Sequence, residues 1–224
     1  MARWAPARRD VIAATVDEIL QNYRRGRITI GVDGRTASGK STFADDLARE
    51  FERRGLATAR ASLDDFLAPA GQRYARGRFS PEGYYRDAYA YDVFRRVLIE
   101  PFRMGGSTAF VTAAYDRVRE VQLEPKWRTG PEDVFLIVDG GFLDRPELAG
   151  VWNYTIWLDA DDSVRAERLS ARRDRAGIRP RRALRRRPPH LREGREAAAG
   201  GDRDHRQHRS GPSAPGVRGR VLTR

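Results

Sequence analysis

Apolar residues first recur at helical spacing. Val11, Ile12, Val16, Ile19 and Leu20 share one stripe that ends near Gly26, so a helix is expected over about residues 8–25. The period then shortens. Residues 27–33 form a short, β-branched stretch that runs into Gly34-Arg35-Thr36-Ala37-Ser38-Gly39-Lys40-Ser41-Thr42. Beyond this loop Phe43, Leu47 and Phe51 mark the buried stripe of a second helix that stops near Gly55. Residues 57–63 read as a second strand, delivering Asp64-Asp65-Phe66 at its carboxyl end. Regular patterning dissolves over about 68–86, a stretch rich in Arg, Tyr, Gly and Pro that is expected to be an irregular functional flap. A helix over about 90–101 follows. Residues 133–139 are almost wholly apolar, as befits a central parallel strand buried on both faces, and end on Asp139. A strand at 153–159 and a charged helix at 163–175 complete the alternation, which predicts an α/β fold with a parallel sheet.

A chain of 224 residues suits one such domain, here expected over residues 1–177. Zero cysteines exclude a disulfide scaffold, a thiolate zinc site and cysteine catalysis. No apolar run approaches the ~20 residues of a membrane helix, and residues 1–21 lack the apolar core of a signal peptide. A soluble cytoplasmic protein without membrane partners is the expectation.

The formal charge of +12 raises the question of nucleic acid, and its location answers most of it. Residues 178–224 hold 14 Arg against four acids, leaving 29 bases and 27 acids before them, so the body is nearly neutral. The same 47 residues include 6 Gly, 5 Pro and 5 Ala and no Phe, Trp or Tyr, so they offer little to bury and are expected to be disordered. Two origins fit this composition. One is a basic tail that binds nucleic acid non-specifically. The other is GC-rich DNA read in a shifted frame from about residue 178, in which case the last strand of the sheet is expected to be missing and one edge left open.

Gly34-x-x-x-x-Gly39-Lys40-Ser41 matches the phosphate-loop pattern, with the required strand before it and helix after it. Its glycines let backbone N–H groups curl around an anion at a helix N-terminus. Gly34, Thr36, Ala37, Ser38, Gly39, Lys40, Ser41 and Thr42 are therefore the candidate nucleotide-binding residues, with Lys40 on the β- and γ-phosphates and the Ser41 hydroxyl on Mg²⁺. The bland alternative is a Gly/Ser-rich turn. Asp139, at a strand end, is placed to hold the metal directly or through water. Asp64, at the next strand end, can accept the proton of an attacking hydroxyl and is a further metal candidate. Asp64 and Asp65 could instead cap a turn, and adjacency leaves the choice between them open.

The loop Gly34–Thr42 resembles that of the uridine kinase family, and Asp64-Asp65-Phe66 resembles the family's Asp-x-Phe, whose Asp is the catalytic base. Phosphoribulokinase and pantothenate kinase belong to the same superfamily. The likeness covers roughly residues 27–176. It implies a three-layer P-loop NTPase fold with strand order 2-3-1-4-5, Mg-ATP as donor, and Tyr115-Asp116 as counterpart of the family's substrate-side Tyr-Asp. Asp65 and Tyr84 join these as acceptor-side candidates. Arg117-Val118-Arg119 stands where the family has a histidine after Tyr-Asp, and Leu67 where it has a tyrosine. The resemblance therefore implies phosphorylation of a small hydroxylated molecule, with uridine or cytidine the first choice. Arg165, Arg168 and Arg172 share one face of the charged helix, with Arg173 beside them. The resemblance makes that helix a lid, with Arg168 and Arg172 its charge clamps; an exposed helix laced by ion pairs is the alternative.

Overall fold

The computed structural model of the chain describes residues 7–175 and 217–222. Its centre is a parallel sheet of β1 (Arg27–Gly34), β2 (Thr58–Ser62), β5 (Val134–Asp139), β6 (Tyr154–Asp159) and β7 (Val217–Leu222), in the order β2-β5-β1-β6-β7. This is the 2-3-1-4-5 order expected from the sequence. All six residues of β5 are buried, which its unbroken apolar run demanded. Between the strands of the large sheet lies a two-stranded hairpin, β3 (Tyr115–Asp116) and β4 (Val121–Gln122), which the sequence pattern is too short to reveal.

The helices cover both faces. α1 (Arg8–Asn22) and α2 (Lys40–Arg53) pack one face, where Val16, Ile19, Leu47 and Phe51 meet Ile30, Phe135 and Ile137. Phe51 stacks on Phe135 with ring centroids 4.4 Å apart. On the other face Phe94, Leu98 and Phe102 meet Leu136 and Val138. Alternate residues of β5 thus feed two separate cores. The segment expected as one helix over 90–101 is divided into α5 (Tyr91–Phe94), a π-type turn (Arg95–Ile99) and α6 (Glu100–Met104). Pro101 supplies the reason, because it lacks the N–H that would continue the ladder.

Two expectations are corrected. The stretch 68–86 is not structureless, since it contains α3 (Ala70–Arg73) and α4 (Pro81–Asp87). Ser80 caps α4 by accepting a hydrogen bond from the Gly83 N–H at 3.0 Å, and Pro81 fits the first turn, a start signal that the surrounding glycines obscured. The sheet also does not lack its last strand. Val217–Leu222 pairs parallel to β6 from Tyr154↔Val217 to Asp159↔Leu222, so the edge of β6 is covered. The expected disorder of 178–224 therefore fails at 217–222, where Val217, Val221 and Leu222 suit a strand; residues 178–216, with the bulk of the arginines, lie outside the described residues.

The parallel sheet directs the carboxyl ends of β1, β2 and β5 to one rim, and the charged helix α7 (Asp162–Arg175) follows β6 onto the same rim. Packing of α2 on β5 fixes that rim. Phe51→Ala is expected to lower unfolding stability by about 3–5 kcal/mol, read from urea denaturation.

Candidate active site

The rim encloses a cleft of about 540 Å³ that brings together Gly34, Lys40, Ser41, Asp64, Asp139 and Arg172. The phosphate loop forms its floor. Gly34, at φ 148°, admits no side chain, since a Cβ there would lie 2.3 Å from the Leu158 carbonyl oxygen. Ala37 (φ 65°) and Gly39 (φ 100°) sit in the left-handed region, the alternation that turns successive amides toward a common centre. Arg165 donates to the Thr36 carbonyl at 3.0 Å, and Arg168 to the Ala37 and Ser38 carbonyls at 3.2 and 3.1 Å. Trans peptide planarity turns the N–H groups of Ala37 and Gly39 away from the carbonyls so engaged. Helix α2 begins at Lys40 with no side-chain cap, so its first turn offers donors to an anion. Thr42 lies in that turn.

Lys40 bends back on the loop, donating to the Gly34 and Arg35 carbonyls at 2.8 and 3.1 Å. Burial pushes its ammonium pKa below the ordinary lysine value, against the opposing pull of Asp33, Asp64 and Asp139. Asp33 was not singled out in the sequence, yet it lines the cleft and holds the loop. Its Oδ1 accepts the Gly34 N–H at 2.6 Å and its Oδ2 the Leu143 N–H at 2.8 Å, while burial raises its carboxyl pKa. A lone acid ending a buried strand was the available signal.

The acidic strand ends have distinct partners. Asp139 is 4% exposed at its side chain; Oδ2 accepts the Ser41 hydroxyl at 2.6 Å and Oδ1 pairs with Arg60 at 2.8 Å. A serine hydroxyl beside a strand-end carboxylate is an oxygen donor set that fits Mg²⁺, which takes few protein ligands and completes its shell with phosphates and water. Ser41 and Asp139 would hold the ion there, with Asp64 on the facing wall. Among the described residues no group of three or more His, Cys, Asp or Glu forms a cation cage.

Asp64 lies in a short 3-10 turn, Leu63–Phe66, and faces the cleft, whereas Asp65 does not line it. Tyr89 donates its hydroxyl to Asp64 Oδ1 at 3.0 Å, and Arg117 pairs with Oδ2 at 3.1 Å. Burial pushes the Tyr89 phenol far up, so it stays protonated and donates. Burial also raises the carboxyl pKa of Asp65, with Arg117 opposing. Arg117 stands where the resemblance expected a histidine after Tyr-Asp, but neither its pairing with Asp64 nor that of Tyr89 was expected; the fold makes both.

The other acceptor-side candidates divide. Tyr84 lines the cleft and meets Phe142 edge-on, with centroids 5.4 Å apart; Tyr85 does the same from the next position. Phe142 holds φ 62°, an uncommon conformation for a bulky residue and one that concentrates at functional sites. Trp157, 42% exposed, lines the cleft from β6. Tyr115 and Asp116 are absent from this wall. The Tyr115 hydroxyl donates to Glu120 at 2.8 Å, and Asp116 accepts the Val118 and Arg119 N–H groups at 2.8 and 3.0 Å, which lowers its carboxyl pKa and shapes the hairpin turn. Arg172 lines the cleft as expected, joined by Arg165; Arg168 instead braces the loop from its carbonyl side. The side chain of Arg173 lies outside the described residues.

Several solved structures share this architecture over most of the chain. A candidate uridine kinase from Bacillus stearothermophilus superposes with a TM-score of 0.59 at 20% identity, over 75% of this chain and 90% of its own. A candidate fructose transport system kinase from Silicibacter sp. TM1040 gives 0.63 at 23% identity, over 78% and 85%. The chain has the P-loop kinase fold. A D-glycerate 3-kinase from Cryptococcus neoformans var. grubii, at 0.53 and 13% identity over 78% and 82%, extends the set of P-loop kinases with this fold. No family model matches the chain, and no curated protein matches it. Among the described residues no helix is long and apolar enough to cross a membrane.

The lowered pKa of Lys40 makes a stability prediction. A lysine whose folded pKa lies below its unfolded one costs stability while it is charged, and that cost is relieved as pH rises from the folded value toward the unfolded one. Lys40→Met is expected to melt above the wild type at pH 7 without nucleotide, with the gap closing toward pH 10, and to lose the stabilisation that Mg-ATP gives the wild type. Thermal melts with and without nucleotide measure both.

Proposed function

We propose that this P-loop kinase fold is an ATP-dependent phosphotransferase that moves the γ-phosphoryl group of Mg-ATP to a hydroxyl of a small molecule in the cytoplasm. The carrying observation is that Asp64 and the Ser41–Asp139 pair face one cleft across the phosphate loop. Lys40 exchanges the Gly34 and Arg35 carbonyls for the β- and γ-phosphate oxygens, and the amides of the loop hold the rest of the triphosphate. Bound Mg²⁺ supplies neutralisation of phosphate charge beside Ser41 and Asp139.

Asp64 takes the proton of the acceptor hydroxyl as its oxygen forms a bond to the γ-phosphorus. The bond from that phosphorus to the bridging oxygen breaks, and ADP leaves with the electron pair. Tyr89 and Arg117 favour the charged form of Asp64, so release of Arg117, 59% exposed and the freer of the two, strengthens it as a base. Arg172 on the lid supplies charge to the transferring group, while Arg165 and Arg168 keep the loop in shape.

The acceptor is a small molecule rather than nucleic acid, and a nucleoside such as uridine or cytidine is the first choice. Support comes from the aromatic wall of Tyr84, Tyr85 and Phe142, which suits a flat ring. The fold places this chain beside kinases of differing acceptors, so the wall carries this choice.

A screen of nucleosides, sugars, sugar phosphates and pantothenate for acceptor-dependent ADP release tests the reading. At least one is expected to couple, and Asp64→Asn is expected to lower kcat by about 10²–10⁴-fold while nucleotide binding persists. Undiminished turnover in that variant would remove Asp64 from the mechanism.

A further inference from the structure

β2 contributes one side chain that the transfer mechanism does not use. Residues Ala59 and Ala61 of this strand are small and buried, and Arg60 between them points to the opposite face, toward α2. Its guanidinium is fully committed. Nε and Nη2 donate to Asp45 Oδ1 at 3.1 and 3.0 Å, Nη1 to the Ala61 and Ile137 carbonyls at 3.0 and 2.6 Å, and Nη2 also to Asp139 Oδ1 at 2.8 Å. An arginine so held is a fixed cation rather than a mobile one.

Its position bears on the metal seat. On Asp139, Arg60 sets its cation against Oδ1 while Ser41 bonds Oδ2, so an approaching cation is repelled from the Oδ1 side and favoured on the Ser41 side. Lys40 is a second cation acting on the same carboxylate. Asp45, the other acidic partner of Arg60, is 50% exposed and screened by solvent, whereas the Asp139 side chain is 4% exposed. Without nucleotide, the buried carboxylate is therefore already neutralised. A triphosphate brings negative charge to the seat and draws Lys40 away, which changes that balance.

We infer that Arg60 is a positioning residue that cancels the charge of Asp139 and confines its usable oxygen to the Ser41 side, so that the divalent cation enters only with the nucleotide phosphates. This rests on the assignment of Ser41 and Asp139 as the metal seat. It makes the metal–nucleotide complex the species that binds, with no stable complex of metal and protein alone.

Manganese binding followed by electron paramagnetic resonance tests it without reference to turnover. Nucleotide-free wild type is expected to bind Mn²⁺ weakly and to bind it tightly once ADP is present. Arg60→Gln is expected to bind Mn²⁺ at least about tenfold more tightly than wild type in the absence of nucleotide, because a unit positive charge beside the carboxylate is gone. Arg60→Lys keeps the charge and is expected to resemble wild type. The double variant R60Q/D45N restores the wild-type net charge and is expected to keep the gain, which places it at Asp139. Tight Mn²⁺ binding by the nucleotide-free wild type would overturn the inference whatever the variants do, as would an Arg60→Gln protein that binds like wild type. Asp139→Asn separates the two levels of the argument. If it abolishes the nucleotide-dependent Mn²⁺ signal while Arg60→Gln changes nothing, only the role of Arg60 falls; if it leaves that signal intact, the metal seat itself is misplaced.

Discussion

A parallel sheet concentrates acidic strand ends on one rim, and that crowding is the constraint on which the site depends. Asp33 ends the strand that feeds the phosphate loop, Asp64 follows β2, and Asp139 ends β5, all lining one cleft. Carboxylates gathered this closely repel one another unless each has a partner. Here each has a different one: the Gly34 and Leu143 amides for Asp33, Tyr89 and Arg117 for Asp64, Ser41 and Arg60 for Asp139. Those partners assign the acids distinct tasks. In the proposed mechanism the acid held by amides shapes the loop, the one beside a hydroxyl would face the metal, and the one with an exposed arginine would take the proton.

The loop and α7 depend on each other in the same way. Carbonyls of Thr36, Ala37 and Ser38 are engaged by Arg165 and Arg168 of α7. Shared hydrogen bonds couple the position of that helix to the shape of the loop. The acceptor side is built differently, from rings rather than charges. Buried Arg145 donates to the Tyr85 carbonyl and pairs with Glu147, tying α4 to the segment after β5 and so fixing the aromatic wall relative to Asp64.

How much of this was legible in the sequence followed from the range of the interactions. The strand–loop–helix unit and the buried strand ending at Asp139 are local patterns, and their periodicity and glycine spacing were sufficient. Strand order came from the resemblance of the loop and Asp-Asp-Phe to known kinases rather than from patterning. The contacts of Arg60, Tyr89 and Arg117 were not legible, because their partners lie 79, 25 and 53 residues away. Tyr115 and Asp116 were legible as a pair, but their side chains are taken up by hairpin contacts and do not line the cleft. The last strand was missed because the Arg-rich composition of the preceding segment, which continues at Arg218 and Arg220, outweighed the few aliphatic residues of Val217–Leu222.

The placement of the reacting groups can be seen directly in a crystal of the protein with Mg²⁺ and a β,γ-imido analogue of ATP. The account requires the triphosphate in the curl of Gly34–Thr42, Lys40 moved from the Gly34 and Arg35 carbonyls onto phosphate oxygens, the ion beside Ser41, and Asp64 across the cleft from the terminal phosphorus. A nucleotide bound elsewhere, or a terminal phosphorus turned away from Asp64, would contradict it.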